Sequence, residues 1–257
     1  MIEVKNINKS FDGRQVLFDI SARFEKGKTN LIIGQSGSGK TVLLKSIIGL
    51  RTPETGEVLY DGRNSLAMNS RQIKELRKEI GMLFQGSALF DSENVLGNVM
   101  YPLRMHTNMT YKECQKRAEF CLERVNLHGA NKLFPSEISG GMQKRVAIAR
   151  AIALKPKYLF CDEPNSGLDP KTSLVIDDLI HGLTQEYNTT TIINTHDMNS
   201  VLGIGEHILF IYKGHADWEG NKDQVVSSKN ERLNSFIYSS DLFRKVKKAE
   251  QESEVDK

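Results

Sequence analysis

Cysteine is scarce. Cys114, Cys121 and Cys161 are the only three in 257 residues, and their spacing fits no metal site. That excludes a disulfide scaffold or a zinc module as the organising principle. The thiols are expected as small core residues in a reducing cytosol, two on one face of a helix and Cys161 in a buried strand. Long apolar runs are also missing, so nothing here spans a bilayer. The N-terminus, Met1-Ile2-Glu3-Val4-Lys5-Asn6, alternates like a strand and lacks a signal peptide's apolar core. Any service to a membrane would need another chain to do the spanning. Charge of one sign is lacking too: the net charge of +3 is mild and the basic residues are dispersed, which argues against nucleic acid as a partner. Near the C-terminus Arg244, Lys245, Lys247 and Lys248 form a small basic run. Glu250, Glu252, Glu254 and Asp256 come after it, so the tail reads as mixed and solvated. No internal repeat or low-complexity linker precedes that tail.

What the chain does have is glycine in two decisive places. Gly34-Gln35-Ser36-Gly37-Ser38-Gly39-Lys40-Thr41 matches the phosphate-binding loop GxxxxGK[ST] without a gap. Leu31-Ile32-Ile33 before it reads as a buried strand, and Val42, Leu43, Leu44, Ile47 and Ile48 after it are apolar at helical spacing. Strand, glycine turn and helix form the context the motif needs. Glycines let backbone N–H groups approach phosphate oxygens, and the helix N-terminus adds positive dipole. Lys40 is expected to reach the β- and γ-phosphates, and the Thr41 hydroxyl to ligate Mg²⁺. Ser139-Gly140-Gly141-Met142-Gln143, at the start of a helical pattern, is a second place to hold a phosphate. Together the two segments suggest a nucleotide clamped between two copies of the chain.

The remaining chemistry stands at strand ends. Lys157-Tyr158-Leu159-Phe160-Cys161 is another buried-strand pattern and ends in Asp162-Glu163-Pro164. Asp162 is expected to hold magnesium, and Glu163 to orient or deprotonate the attacking water. The segment from Thr189 to Asn194 is rich in β-formers, with His196 just beyond it. Strand C-termini line the ligand crevice of a parallel α/β sheet, so His196 is well placed to sense the γ-phosphate.

On these motifs, in this order, the chain resembles the ATP-binding subunits of ABC transporters almost from end to end. The resemblance implies ATP and Mg²⁺ as cofactors. It assigns Phe11 to stacking on adenine, and Gln85, in Met82-Leu83-Phe84-Gln85, to linking magnesium with a membrane partner. Ser139, Gly140 and Gly141 match the signature segment that grips the γ-phosphate bound to the opposite subunit. Ser166-Gly167-Leu168-Asp169 matches the D-loop, with Asp169 in the nucleotide set, and His196 matches the switch histidine. The implied nucleotide set therefore runs from Gly34 through Val42 and adds Phe11, Ser139, Gly140, Gly141 and Asp169. The implied catalytic set is Glu163, His196, Gln85 and Lys40, and the metal set Thr41, Gln85 and Asp162. Four positions depart from the family's usual residues: Ile138 and Met142 flank the signature segment, Phe11 stands where tyrosine is usual and keeps its π-face, and Asn165 stands where a threonine is frequent.

The stretch from Gln85 carries a finer resemblance. Gln85-Gly86-Ser87-Ala88-Leu89-Phe90-Asp91-Ser92, with Val95, Asn98, Val99, Tyr101, Pro102 and Leu103, is similar to the ATPases of MCE-associated, Mla-type phospholipid transporters. It implies a homodimer working with an integral membrane permease and an MCE-domain protein, peripheral to the cytoplasmic face of a bacterial inner membrane. Three alternatives are an ABC importer ATPase for a small polar solute, a non-transport ABC protein and a soluble P-loop kinase. The second would need paired ATPase units or long coiled-coil insertions, and the third would not need the Ser139 and Ser166 segments.

The expected architecture is α/β. It has a P-loop NTPase core with a mixed or parallel sheet, an antiparallel β subdomain and a helical subdomain, which is the ABC ATPase fold. Residues 1–85 and 151–220 are assigned to the core and antiparallel sheet, 86–150 to the helical subdomain, and 221–257 to a C-terminal extension. Asp12-Gly13 and Asp61-Gly62 signal hairpins. Ser70 is expected to cap a helix with Ile73, Leu76 and Ile80 on one face, and Thr110 with Glu113 to form a capping box. Pro170 is expected to open a helix that buries Leu174, Ile176, Ile180 and Leu183. Between Ser87 and Met109 the apolar content exceeds what a surface connection needs; it either packs the helical subdomain or lines a groove for a short helix of the permease.

Overall fold

Apolar β-branched strands that meet a different layer on each face set the architecture. In the computed structural model, residues 1–238 are described. The order is β1 (Ile2–Phe11), β2 (Arg14–Phe24), β3 (Thr29–Ile33), α1 (Lys40–Ile48), β4 (Thr55–Tyr60), β5 (Arg63–Asn64), α2 (Ser70–Lys78), β6 (Ile80–Leu83) and α3 (Val95–His106). Then come α4 (Tyr111–Arg124), α5 (Gly140–Ala151), β7 (Tyr158–Asp162), α6 (Pro170–Tyr187), β8 (Thr190–Asn194), α7 (Met198–Ile204), β9 (His207–Tyr212), β10 (His215–Gly220), α8 (Lys222–Val226) and α9 (Glu231–Ile237). The basic run and acidic tail beyond Tyr238 lie outside the described residues.

One sheet runs β2-β1-β4-β5 and is antiparallel. The other runs β10-β9-β3-β8-β7-β6; five of its strands are parallel and β10 pairs antiparallel at the edge. β3 shows why both layers are needed. Its alternate side chains divide between two cores, Leu31 and Ile33 facing the helices α3 to α6, and Ile32 facing α1 and the antiparallel sheet. A strand buried on both faces is buried throughout its length, which is how β3, β7 and β8 read. Asp12-Gly13 and Asp61-Gly62 close their hairpins with both residues at positive φ (48° and 78°, 46° and 79°). No helix among the described residues is long and apolar enough to cross a membrane.

Three local expectations are corrected. Asn69, not Ser70, caps α2: its side chain accepts from the Arg71 and Gln72 N–H groups while Gln72 returns the bond. Asn and Ser are near-equal caps, so the choice fell to register. Ile80 belongs to β6 instead of the α2 face. Leu174 is 52% exposed, whereas Ile176, Ile180 and Leu183 are buried. Elsewhere the Thr110–Glu113 capping box forms, and all three cysteines are buried.

The apolar stretch between Ser87 and Met109 divides in two. Val95, Val99, Met100 and Leu103 enter the helical core, while Phe90, Tyr101, Met105 and Met109 stay exposed. Phe90 and Tyr101 lie with ring centroids 4.5 Å apart.

The connection from β6 to α3 is held from the α5 side. Ser87 and Ala88 are consecutive non-glycine residues at φ 62° and 49°, a conformation costing on the order of 1–2 kcal/mol each. Arg150 on α5 donates both terminal nitrogens to their carbonyl oxygens, each at 2.7 Å. Lys144, earlier on α5, donates to the Gln85 carbonyl. Arg150→Ala is expected to free this turn and destabilise the chain by roughly 2–4 kcal/mol, lowering Tm by about 4–16 °C. A thermal melt unchanged within about 1–2 °C would show the turn holds itself.

Candidate active site

Strand β3 delivers the chain into a turn that side chains would obstruct. Gly34 has φ 148°, and a Cβ there would lie 2.3 Å from the Ile211 carbonyl oxygen. Gly39, at φ 106°, would press a Cβ to 2.9 Å from Leu17 Cδ2. Gly39 is also the N-cap of α1 and offers no side-chain cap, so the leading N–H groups of α1 are free for an anion. Lys40 is nearly buried, and its ammonium donates to the carbonyl oxygens of Gly34 (2.8 Å) and Gln35 (3.1 Å). Burial pushes its pKa down, while Glu163 and Asp162 pull against that. Ser38 Oγ is buried with no hydrogen-bond partner, an acceptor-donor left for something not part of the chain.

A cavity of about 580 Å³ opens over this loop. Gln35, Ser36, Gly37, Gly39, Lys40, Thr41 and Val42 form its floor. Gln85, Glu163 and His196 stand on one side, with Val16 and Phe236 completing the wall. Sheet register explains the convergence: β3, β7 and β8 are parallel neighbours, so the residues leaving each strand emerge at one edge.

The oxygen-bearing groups are linked. Thr41 Oγ1 lies 3.5 Å from Asp162 Oδ1, and Asn194 Nδ2 donates to both, at 3.0 and 2.6 Å. Asn194 is opposite Asp162 in the β7–β8 register, and its own Oδ1 is buried without a partner. Glu163 leaves β7 at φ 49°, a left-handed turn that aims its carboxylate at His196: Nδ1 to Oε2 is 2.8 Å. The imidazole is 66% exposed against 14% for the glutamate, so the histidine can meet a ligand from outside. Gln85 donates to Ser166 Oγ at 3.3 Å. Thr41, Gln85 and Asp162 offer oxygen ligands only, the type a hard divalent cation takes. Among the described residues no cluster of three His, Cys, Asp or Glu could hold a metal alone. Mg²⁺ is commonly held in this manner, by one or two protein oxygens with substrate phosphates and water completing its shell.

Not every expected residue joins this cavity. Ser139 caps α5 through the Met142 N–H (3.3 Å), and with Gly140 it is exposed, away from the cavity of its own chain. Asp169 caps α6 through the Thr172 N–H at 3.0 Å and is also exposed. Phe11, at the end of β1, does not line the cavity; Lys9 Nζ and the Arg51 guanidinium lie 5.2 and 5.8 Å from its ring. Conversely, sequence reasoning missed Asn194, Val16 and Phe236. Asn194 had a legible signal, a polar residue ending an apolar strand beside the Asp162 strand. Phe236 had none, because α9 is brought over by tertiary packing against Phe210 (ring centroids 5.5 Å).

Comparisons with known proteins agree with this geometry. A family profile described as ABC transporter matches residues 17–166. The chain is 40% identical over 237 residues to the intermembrane phospholipid transport system ATP-binding protein MlaF of Haemophilus influenzae, covering 92% of this chain and 90% of that one. It is 36% identical over 236 residues to a probable ribonucleotide transport ATP-binding protein, mkl, of Mycobacterium leprae, covering 92% of this chain and 68% of that protein. Among solved structures it resembles the dimeric post-hydrolysis state of the ATP-binding cassette MJ0796 bound to ADP and Pi. That match has TM-score 0.78 and 33% identity, and covers 86% of this chain and 99% of the other. A matching sequence profile, 40% identity along nearly the whole chain and a shared fold lead to one statement: this chain belongs to the ABC transporter ATP-binding family and is an ATPase.

Proposed function

We propose that this chain is the motor of a phospholipid transporter, in which ATP bound between two copies drives a membrane permease. The observation that carries the lipid reading is the 40% identity to MlaF along 92% of the chain. Lys40 and the N–H groups at the start of α1 bind the phosphates, with Gly34 to Val42 as the cradle. Glu163 orients the attacking water and accepts its proton, and His196, hydrogen-bonded to Glu163, holds that carboxylate and meets the γ-phosphate. Thr41, Asp162 and Gln85 would hold Mg²⁺, which neutralises charge developing on the phosphate oxygens. Phe11 stacks on the adenine.

Ser139, Gly140 and Gly141 stand at the start of a helix outside their own cavity, and so does Asp169. N–H donors at a helix start, with Ser139 and Gly140 exposed, suit the γ-phosphate held by a second copy. ATP thus becomes part of the interface, and its hydrolysis releases it. Gln85 and the Lys144 and Arg150 contacts of α5 carry that change to the helical region. The exposed Phe90, Tyr101, Met105 and Met109 are the surface on which a permease helix would dock. The permease, an MCE-domain protein and a position at the cytoplasmic face of the inner membrane all belong to this proposal.

A second reading has its own support, since the M. leprae relative is named for probable ribonucleotide transport. Native mass spectrometry of the tagged chain, extracted from its own membranes in mild detergent, separates the two. Two copies with a permease, an MCE-domain protein and bound phospholipid are expected. A permease with a polar-solute binding protein would overturn the lipid assignment and keep the motor.

A further inference from the structure

One carboxylate lies deep in the chain and takes no part in the cavity. Asp177, two turns into α6, is 3% exposed. Its Oδ1 accepts from Asn165 Nδ2 at 2.9 Å, and its Oδ2 from Ser200 Oγ at 2.7 Å. Asn165 Nδ2 also donates to Ser200 Oγ at 3.0 Å, which closes a ring of three side chains. All three are buried. The groups facing Asp177 are the hydrogen-bonding Asn165 and Ser200, the Cys161 thiol of β7, Asp197 at the start of α7 and Asp178 on its own helix. None is a cation. Burial accordingly raises the Asp177 carboxyl to about 6, with Asp197 and Asp178 adding to the rise.

A buried carboxylate without a cation is a poor way to fill a core, where an apolar side chain would do better. Its neighbours on α6, Ile176 and Ile180, are fully buried and apolar. The segments that the ring joins give the polar choice a purpose. Asn165 stands two residues after Glu163 and one before Ser166. Its carbonyl accepts from the Leu168 N–H at 3.1 Å, inside a turn whose Ser166 N–H reaches the Glu163 carbonyl at 3.2 Å. Ser200 lies in α7, four residues after His196. The ring therefore ties the segment leaving Glu163 to the helix leaving His196, and both to α6. It also gives Asn165 the physical role that sequence alone left unexplained.

We propose that Asp177 is a positioning residue for ATP hydrolysis, holding through Asn165 and Ser200 the arrangement in which Glu163 and His196 meet. It touches no substrate. Its effect is to fix two backbones that would otherwise settle independently, the use of buried polar groups for a unique arrangement.

The test compares Asp177→Leu, Asp177→Asn and Ser200→Ala in the 257-residue chain, measuring kcat, KM for ATP and thermal stability. Asp177→Leu is expected to lower kcat about tenfold with KM within about twofold; it also strips the buried Ser200 Oγ and Asn165 Nδ2 of their acceptor, so its melting temperature falls as well. Asp177→Asn keeps an acceptor for Ser200, and its amide donor can pair with Asn165 once that amide flips to present its unpartnered Oδ1 in place of Nδ2; it is expected to recover most of kcat. Stability should also depend on pH in a defined direction. The folded carboxyl binds its proton more tightly than the unfolded one (about 6 against 3.8), so the parent loses stability as pH rises through that window. Asp177→Asn should therefore gain on the parent between about pH 4 and pH 6. A structural role alone would lower stability and leave kcat per folded molecule intact, and that result overturns the proposal. So does equal slowing in Asp177→Leu and Asp177→Asn. If Asp177→Leu does not fold, Ser200→Ala removes only the link to α7; a roughly threefold fall in kcat at constant KM is expected, and an unchanged kcat overturns the proposal.

Discussion

Lys40→Ala lowers ATP turnover by about 10²–10³-fold or more, to the background of the assay. The size comes from where the ammonium sits. It is nearly buried, at the start of α1 and among carbonyl oxygens that hold it over the loop. A nearly buried charge fixed by the fold stabilises phosphate oxygens more than one in solution, and it needs no reorganisation as the γ-phosphoryl moves. Alanine removes that charge without touching Glu163 or His196. The loop conformation should survive, because glycine geometry at Gly34 and Gly39 sets it. Phosphate-release kinetics beside a thermal melt check both halves. Activity within a few-fold of the parent would end the assignment of Lys40 to the phosphates.

Glu163→Gln is expected to separate binding from hydrolysis. Glutamine keeps the shape and can still hydrogen-bond His196 across the 2.8 Å contact, but it cannot take a proton from water. Loss of a positioned base costs about 10²–10⁴-fold in rate. Cradle, Lys40 and Asp162 are untouched, so ATP still binds. With hydrolysis blocked, the nucleotide stays in place and two chains remain closed around it. Size-exclusion chromatography in ATP should show a dimer for Glu163→Gln and an ADP-dependent return to monomer. A monomer in saturating ATP would count against the shared site.

The motifs at strand ends were the legible part of this molecule. A phosphate loop is contiguous, and the parallel-sheet rule that strand C-termini share an edge was enough to bring Lys40, Gln85, Glu163 and His196 to one cavity. The apolar strands β3, β7 and β8 announced a sheet covered on both faces. Groups whose neighbours come from distant sequence were harder. Phe236 reaches the cavity only because α9 packs on β9. Asn194 is marked as a polar end to an apolar strand, but its pairing with Asp162 is set by register, which composition does not carry. The ring at Asp177 could not be read at all, since an acidic residue on a helix is usually a solvated one. Leu174 failed the other way: helical spacing marks a face, but where that face ends depends on what packs against it. The exposed set at Phe90, Tyr101, Met105 and Met109 likewise could be separated from its buried neighbours only with α4 and α5 in place.

If ATP is shared between two chains, Ser36 of one lies near Ser139 of the other only while ATP is bound, and that proximity can be measured. The native cysteines are buried, so a thiol placed at Ser36 in the cavity floor or at exposed Ser139 would be the reactive one in its chain. Ser36→Cys and Ser139→Cys chains, each also carrying Glu163→Gln, would be mixed and treated with a short bifunctional maleimide. With ATP, a covalent pair containing one of each chain is expected, formed much faster than with ADP or no nucleotide. A yield of that mixed pair indifferent to ATP would contradict the shared site.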